Sequence, residues 1–278
     1  MATETFNRYE KKYRLDEATF VRIRAGLSDC MQPDPYSRRR ESRRIINLYY
    51  DTADSAFIRA SLAKPVYREK LRLRAYGTPD ADSTVYAEIK KKVDGLVNKR
   101  RSAVKLSEAY AFLASGVLPE RRPYMNEQVL EEIACILGRG VLRPALYLAY
   151  EREAYVDDER GDLRISFDTN ILARRFDLRM ESGVYGEALL GRGCRLMEIK
   201  TAKSIPLWLC RLLSENDVFP AGFSKYGFAY LRALERRTAG KLAAPAETEA
   251  VLTFARAGGT AVVTGTAAIA RQGRERNV

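Results

Sequence analysis

Residues 67–77, "YREKLRLRAYG", place Arg68, Lys70, Arg72 and Arg74 on every second position, with Leu71 and Leu73 between them. Successive side chains of a β-strand point to opposite faces, so this segment carries a file of cations on one side and leucines on the other. The same parity recurs along the chain. Arg8, Glu10, Lys12 and Arg14 alternate in "NRYEKKYRL", Glu88, Lys90 and Lys92 in "STVYAEIKKKV", Arg164, Ser166 and Asp168 in "LRISFDTNI", and Glu198 and Lys200 in "MEIKT". The intervening positions hold Val85, Ala87 and Ile89, or Leu163, Ile165 and Phe167, which are fit to pack under helices. Strands of this kind fold in one of two ways. Either a sheet curls into a barrel with its ionic faces inward, or it stays flat with those faces in water. An interior so cationic is tolerable only if water, carboxylates or an anion fills it.

The order of elements favours the barrel. A strand over "NRYEKKYRL" is followed by a helix with Asp16 as N-cap and Phe20, Ile23 and Leu27 at helical spacing. The basic, proline-flanked stretch "QPDPYSRRRESRR" leads into a strand at "IINLYYDT". Strand-like runs at "YREKLRLRAYG", "STVYAEIKKKV" and "LVNKRRSAVKL", separated by "GTPDAD" and "DG", read as an antiparallel meander. Helical periodicity takes over from Ser107 to about Leu137, and strands resume at "PALYLAYEREAYV", "LRISFDTNILARR" and "CRLMEIKT". Two helices close the domain, Ser204 to Asn216 and Ser224 to about Arg237. Roughly eight strands without a βαβ rhythm predict an α+β fold, a closed or nearly closed antiparallel barrel with helices outside and a basic lumen. The tunnel domain is expected over 6–237. The Ala-, Gly- and Thr-rich segment 238–278 reads as a disordered tail, and Arg256 with its glycines argues against a membrane span there.

Composition narrows the chemistry. The chain has 278 residues and a formal charge of +12, which points to an acidic partner. It has no histidine at all, which excludes phosphohistidine intermediates, histidine bases and histidine metal ligands. Cys30, Cys135, Cys194 and Cys210 show no CxxC spacing, so neither a zinc site nor a disulfide framework is indicated. The opening "MATETFNRYEKKYRL" is polar, unlike a signal peptide, and a cytoplasmic protein is expected, at most peripheral at the inner face of a membrane.

The mixture of arginine forks and lysine point charges suits a row of phosphates. Glu10, Glu88 and Glu198 share faces with those cations. They fit two roles, ligands for a divalent metal that bridges phosphate oxygens, or internal ion-pair partners. Nucleic acid is not the expected partner, because the basic file in "YREKLRLRAY" is interleaved with leucine rather than with stacking aromatics, and no RNP-type motif or basic helix occurs. Neither a P-loop nor a Rossmann glycine motif is present.

Taken in order, "RYEKKY", "NLYYDT", "YREKLRLRAYG", "YAEIKKKVDGLVNKRR", "YEREAY", "LRISFDTNI", "MEIKT" and "FSKYGFAY" closely resemble the VTC domain, the polyphosphate polymerase domain of the vacuolar transporter chaperone family, in its prokaryotic form. That family belongs to the CYTH, or triphosphate tunnel metalloenzyme, superfamily, and the resemblance implies its barrel with a basic lumen. It further implies transfer of the γ-phosphate of ATP onto inorganic polyphosphate with Mn²⁺ or Mg²⁺. Carried over by motif, Lys12, Arg72, Arg74, Lys90, Arg152, Arg164 and Lys200 look like the cations that grip triphosphate, with Arg72, Arg74 and Lys200 at the reacting phosphate. Lys225, with Ser224, looks like the contact on the closing helix, and Lys225 joins the catalytic set. Lys99 and Arg101 are taken from "NKRRSAVK" because they share a face. Glu198 looks like the metal ligand, with Glu10 and Glu88 as further candidates.

Two departures matter. The wider superfamily's "ExExK" signature has Arg8 at its first glutamate position here, which makes a pure triphosphatase a poorer fit. Neither an SPX-like region nor transmembrane helices are seen, so export of product would need a separate membrane protein. Two alternatives stay open, a triphosphate hydrolase of the same fold and a non-catalytic polyphosphate-binding module. Oligomeric state is not legible in the sequence.

Overall fold

The eight long strands form where the alternation predicts them, and two short ones, over Met31–Pro33 and Glu187–Ala188, were not anticipated from sequence. The computed structural model describes residues 9–35, 44–94, 96–157, 163–202 and 204–243. Its strands are β1 (Tyr9–Leu15), β2 (Met31–Pro33), β3 (Arg44–Asp51), β4 (Tyr67–Tyr76), β5 (Thr84–Val93), β6 (Leu96–Lys105), β7 (Arg143–Asp157), β8 (Leu163–Arg174), β9 (Glu187–Ala188) and β10 (Arg195–Thr201). The helices are α1 (Glu17–Leu27), α2 (Ala56–Ala63), α3 (Leu106–Ser115), α4 (Glu127–Leu137), α5 (Leu207–Glu215) and α6 (Lys225–Ala243). Local chemistry sets several ends. Asp16 accepts a hydrogen bond from the Thr19 amide at 2.7 Å and opens α1, and Gly116, at φ +76°, ends α3 in the left-handed conformation that costs glycine least.

The sheet is antiparallel, in the order β1-β10-β8-β7-β3-β4-β5-β6, with β2 added on β7 and β9 on β8. The fold is therefore α+β, and eight strands lie on the main path. The hydrogen-bonded path does not close, since β1 and β6 are its two ends. The sheet nevertheless curls, because Glu10 on β1 comes within 3.9 Å of Lys90 on β5. The barrel is thus curled but not closed by a backbone ladder.

Apolar faces turn outward under helices, as parity requires. Leu48, Leu71, Leu73, Val85, Ala87 and Ile89 pack under α3 and α4. Tyr13, Ile165, Phe167, Met197 and Ile199 pack under α1 and α5. The concave face holds one departure from a wholly charged interior. Ile45, Leu146 and Leu148 also point inward, and with Tyr49 they bury against Tyr226, Ala229 and Tyr230 of α6 and Ile58 of α2. The lumen is therefore charged on part of its circumference and closed by an apolar cluster on the rest. The helix α2, between "NLYYDT" and "YREKLRLRAYG", was not anticipated from sequence, and it is held by Asp51. That buried carboxylate accepts from the amides of Phe57 and Ile58 and, at 2.8 Å, from the Tyr226 hydroxyl, so it ties α2 to α6. At Gly227 a Cβ would meet Leu62 Cδ2 at 3.0 Å, so a glycine lets α6 lie close on α2.

The chain divides into two compact units, 1–236 and 237–278, and the sheet lies in the first. α6 continues to Ala243, beyond the end expected near Arg237. The rest of the expected tail, residues 244–278, lies outside the described residues, as do Arg8 and the basic run 36–43. Among the described residues no helix is long and apolar enough to cross a membrane.

Candidate functional site

Cross-strand register brings the charged faces together. On β4 and β5 the directly opposed pairs are Arg68 with Lys92, Lys70 with Lys90, Arg72 with Glu88 and Arg74 with Tyr86. Continuing to β6, Glu88 opposes Arg101 and Lys90 opposes Lys99. Directly opposed residues share a face, so eight cations and the single carboxylate of Glu88 line one wall. The odd-numbered lysine and even-numbered arginine between them, Lys91 and Arg100, turn outward and pair with Glu132 of α4.

On the opposite side β1, β10 and β8 bring Lys12 to Glu198, Glu10 to Lys200 and Lys200 to Arg164. Here the carboxylates are almost fully paired. Arg152 grips Asp168 with two hydrogen bonds of 2.6 and 2.7 Å and reaches Glu198 at 3.1 Å. Lys225, delivered by the first residue of α6, lies 2.5 Å from Asp168 and 2.9 Å from Glu198. Glu198 also takes Lys200 at 3.1 Å and Lys12 at 3.8 Å, and Lys12 is shared with Glu10 at 3.0 Å. Ser224 Oγ accepts from the Gly227 amide at 3.2 Å, which caps α6 and aims Lys225 inward.

These pairs tune the charges. Burial opposes ionisation of Glu198, but Lys225, Lys200, Arg152 and Lys12 outweigh it and hold the carboxyl well below the ordinary range. Asp168 is likewise held low, against burial, by Arg152 and Lys225, and Lys225 is in turn pushed up by Asp168 and Glu198. Glu10 falls to about 2 because Lys90, Lys12 and Lys200 overcome its desolvation. Three lysines of the wall shift the other way, although Arg72 is pushed up by Tyr49 and Glu88 against its burial, and Glu88 is held low. Burial, reinforced by Lys90, Lys12 and Arg72, lowers Lys70 to about 8 despite Tyr49. Burial lowers Lys99 to about 7, with Glu88 opposing and Arg74 and Arg72 adding to it. Lys90 is lowered by burial against the pull of Glu10. Glu88 is the one carboxylate placed among the eight cations of the wall.

Each residue anticipated from sequence can now be placed. Arg72 donates to Glu88 at 2.7 Å and to the Tyr49 hydroxyl at 2.7 Å, and Arg74 donates to Asn47 at 3.0 Å. Lys99 lies 2.8 Å from Glu88, and Lys90 faces Glu10. Arg164 stands on the same face but is drawn 2.6 Å from Asp34. Arg101 shares the wall yet is exposed, with its guanidinium over the Tyr86 ring. Sequence reasoning had placed Asp168 on the charged face without giving it a role, and had not singled out Asn47, Tyr49, Tyr150 or Asp34. Asn47 and Tyr49 alternate with Leu48 in "NLYYDT", so parity alone carried their signal. Tyr150 lies under both Arg152 and Lys225, at 5.2 and 4.7 Å from its ring centre. Nothing local in the sequence marks Asp34 as the partner of Arg164.

One end of the lumen opens into a cavity of about 590 Å³ lined by Lys12, Lys64, Arg68, Lys70, Lys90 and Lys92, with Ser224 and Gly227 on the α6 side. As for a metal, no three His, Cys, Asp or Glu side chains converge to hold an ion unaided among the described residues. Both oxygens of Glu88 face cations, Arg72 and Lys99, which is an ion-pair role. Both oxygens of Glu198 likewise face cations, Lys225 on one and Arg152 and Lys200 on the other, so in this structure Glu198 is an ion-pair partner, and it would reach a metal only with an ion that arrives already bound to phosphate oxygens, the usual habit of Mg²⁺.

The VTC domain family matches residues 7–233. The chain belongs to that family. No curated protein matches the sequence. Among solved structures this VTC domain is similar to a candidate adenylate cyclase of Bacillus halodurans, at 13% identity and a TM-score of 0.47, over 80% of this chain and 96% of that one. It is also similar to the PH1819 protein of Pyrococcus horikoshii, at 14% identity and 0.40, over 83% and 98%. The capping enzyme triphosphatase of Mimivirus follows at 9% identity and 0.31, over 76% and 87%. Overlaps this loose carry no functional argument, and family membership rests on the sequence match.

Proposed function

We propose that this VTC domain is a polyphosphate polymerase that transfers the γ-phosphate of ATP to the end of a polyphosphate chain. The observation that carries this reading is the wall on which Arg68, Lys70, Arg72, Arg74, Lys90, Lys92, Lys99 and Arg101 share a face with Glu88 alone. An excess of cations over carboxylates, spread along neighbouring strands, suits a linear polyanion better than a single phosphate, since each added phosphate meets a further cation.

The nucleophile is a terminal oxygen of bound phosphate or polyphosphate, already ionised, so no histidine base is required. It forms a bond to the γ-phosphorus as the bond to the β,γ-bridging oxygen breaks, and ADP leaves with that oxygen's electron pair. Arg72, Arg74, Lys200 and Lys225 stabilise the charge spread over the transferring group. Lys12, Lys90, Lys99, Arg152, Arg164 and Ser224 hold the flanking phosphates in line, and Arg101 binds the substrate at the outer end of the wall. A Mg²⁺ or Mn²⁺ ion held through Glu198, with Glu10 nearby, supplies further neutralisation of phosphate oxygens when bound.

Purified protein incubated with ATP and Mn²⁺, followed by gel separation of the products and assay of free phosphate, tests the reading. A ladder of long polymer is expected. Free phosphate without polymer would make the protein a triphosphate hydrolase, and binding of polyphosphate without turnover would make it a binding module.

A further inference from the structure

The two ends of the wall differ in kind. Along β4 the inward positions run Arg68, Lys70, Arg72, Arg74 and then Tyr76, and along β5, in the same spatial direction, they run Lys92, Lys90, Glu88 and Tyr86. One end continues in cations into the cavity lined by Lys64, Arg68 and Lys92. The other stops in two tyrosines.

The rings of Tyr76 and Tyr86 meet edge to face, with centres 5.9 Å apart and planes at 76°. The guanidinium of Arg101 lies 4.5 Å from the centre of the Tyr86 ring. Tyr76 is 46% exposed, and neither tyrosine joins any of the three buried hydrophobic clusters. Core packing therefore does not account for the group. An exposed tyrosine beside a half-buried one and a planar guanidinium stacks well on a flat, electron-rich ring such as a nucleobase.

We infer that Tyr76, Tyr86 and Arg101 form a nucleobase platform that seats the purine of the nucleoside triphosphate at this end of the lumen and points its phosphates toward Arg68 and Lys92. The spacing agrees. Arg74, the last cation of the file, opposes Tyr86 directly and precedes Tyr76 by two residues, about 7 Å along a strand. The ribose and the two inner phosphates fold over a step of this size, which leaves the transferring phosphate between Arg72 and the Arg74 guanidinium, itself 3.7 Å from Glu88. The growing chain then leaves through the cationic cavity, not past the tyrosines. The inference rests on the proposed use of a nucleoside triphosphate.

The test compares ATP with inorganic tripolyphosphate, which has the phosphates and no base. Binding is measured by calorimetry in EDTA, so that no turnover intervenes, on the full chain, on a Tyr76→Leu/Tyr86→Leu double variant and on Tyr86→Phe. In the double variant ATP should weaken about tenfold, the loss expected for one stacked base, while tripolyphosphate stays within about twofold. Tyr86→Phe keeps the ring and should bind both ligands like the wild type. Equal weakening of both ligands, or no change for ATP, overturns the platform. If the wild type binds no tripolyphosphate at all, the polymerase reading fails and takes this inference with it.

Discussion

The wall of β4, β5 and β6 and the floor of β1, β8, β10 and α6 are built from the same residue types but balanced differently. The floor sets Lys12, Arg152, Arg164, Lys200 and Lys225 against Glu10, Asp168, Glu198 and Asp34, and every one of these cations has a carboxylate within 4.0 Å. The wall sets eight cations against Glu88, and burial pushes Lys70 and Lys99 toward the neutral form. The floor nearly balances its cations with carboxylates; the wall carries an excess of cations that suits an anion. Removing charge should therefore cost most stability at the most buried pairs of the floor and weaken anion binding most on the wall.

The largest effect should follow Asp168→Asn. It strips the charge from a carboxylate that is 0% exposed and faces both Arg152 and Lys225, so unfolding in denaturant should show a loss of about 3–5 kcal/mol. A midpoint like that of the wild type would mean the floor is not held by its ion pairs.

Glu198→Gln comes next. ATP-dependent synthesis should fall about a hundredfold or more, while metal-free binding of tripolyphosphate is kept or strengthened because the lumen becomes more positive. If metal-dependent synthesis persists near normal, Glu198 is an ion-pair partner only.

Arg74→Ala, on the wall, should show the opposite pattern. Tripolyphosphate affinity should drop about tenfold with or without metal, and the stability loss should be smaller than for Asp168→Asn, because Glu88 loses Arg74 at 3.7 Å but keeps Arg72 at 2.7 Å and Lys99 at 2.8 Å. Should the variant unfold as readily as Asp168→Asn, the contrast between wall and floor collapses.

The smallest effect is in pH. Lys99 and Lys70 titrate at about 7 and about 8 in the free protein, and a bound polyanion favours their charged forms. Binding then takes up protons, so affinity should decline as pH rises through this window and level off below it. A flat profile from pH 6 to 9 would show that these lysines do not touch the ligand.

Much of this was legible because a strand has a period of two. In "YREKLRLRAY" and "YAEIKKKV" each side chain's face follows from its neighbours alone, so the ionic wall and the leucines behind it could be read before any contact was known. The missing histidine and the ordered motifs likewise pointed to phosphate chemistry and to the VTC domain family.

Parity tells which face a residue takes but not what stands across from it. Only the curl of the sheet brings Glu10 to Lys90, and only the docking of α6, fixed by Asp51 and Tyr226, carries Lys225 to Asp168 and Glu198 across a wide gap in sequence. The same packing decides that Leu146 and Leu148 fill part of the lumen with apolar side chains. These partners are chosen by long-range packing, where the free energy of desolvating a charge depends on which opposite charge arrives with it. The alternation that builds each strand is a local property of the chain; the pairing that makes a site of them belongs to the folded sheet.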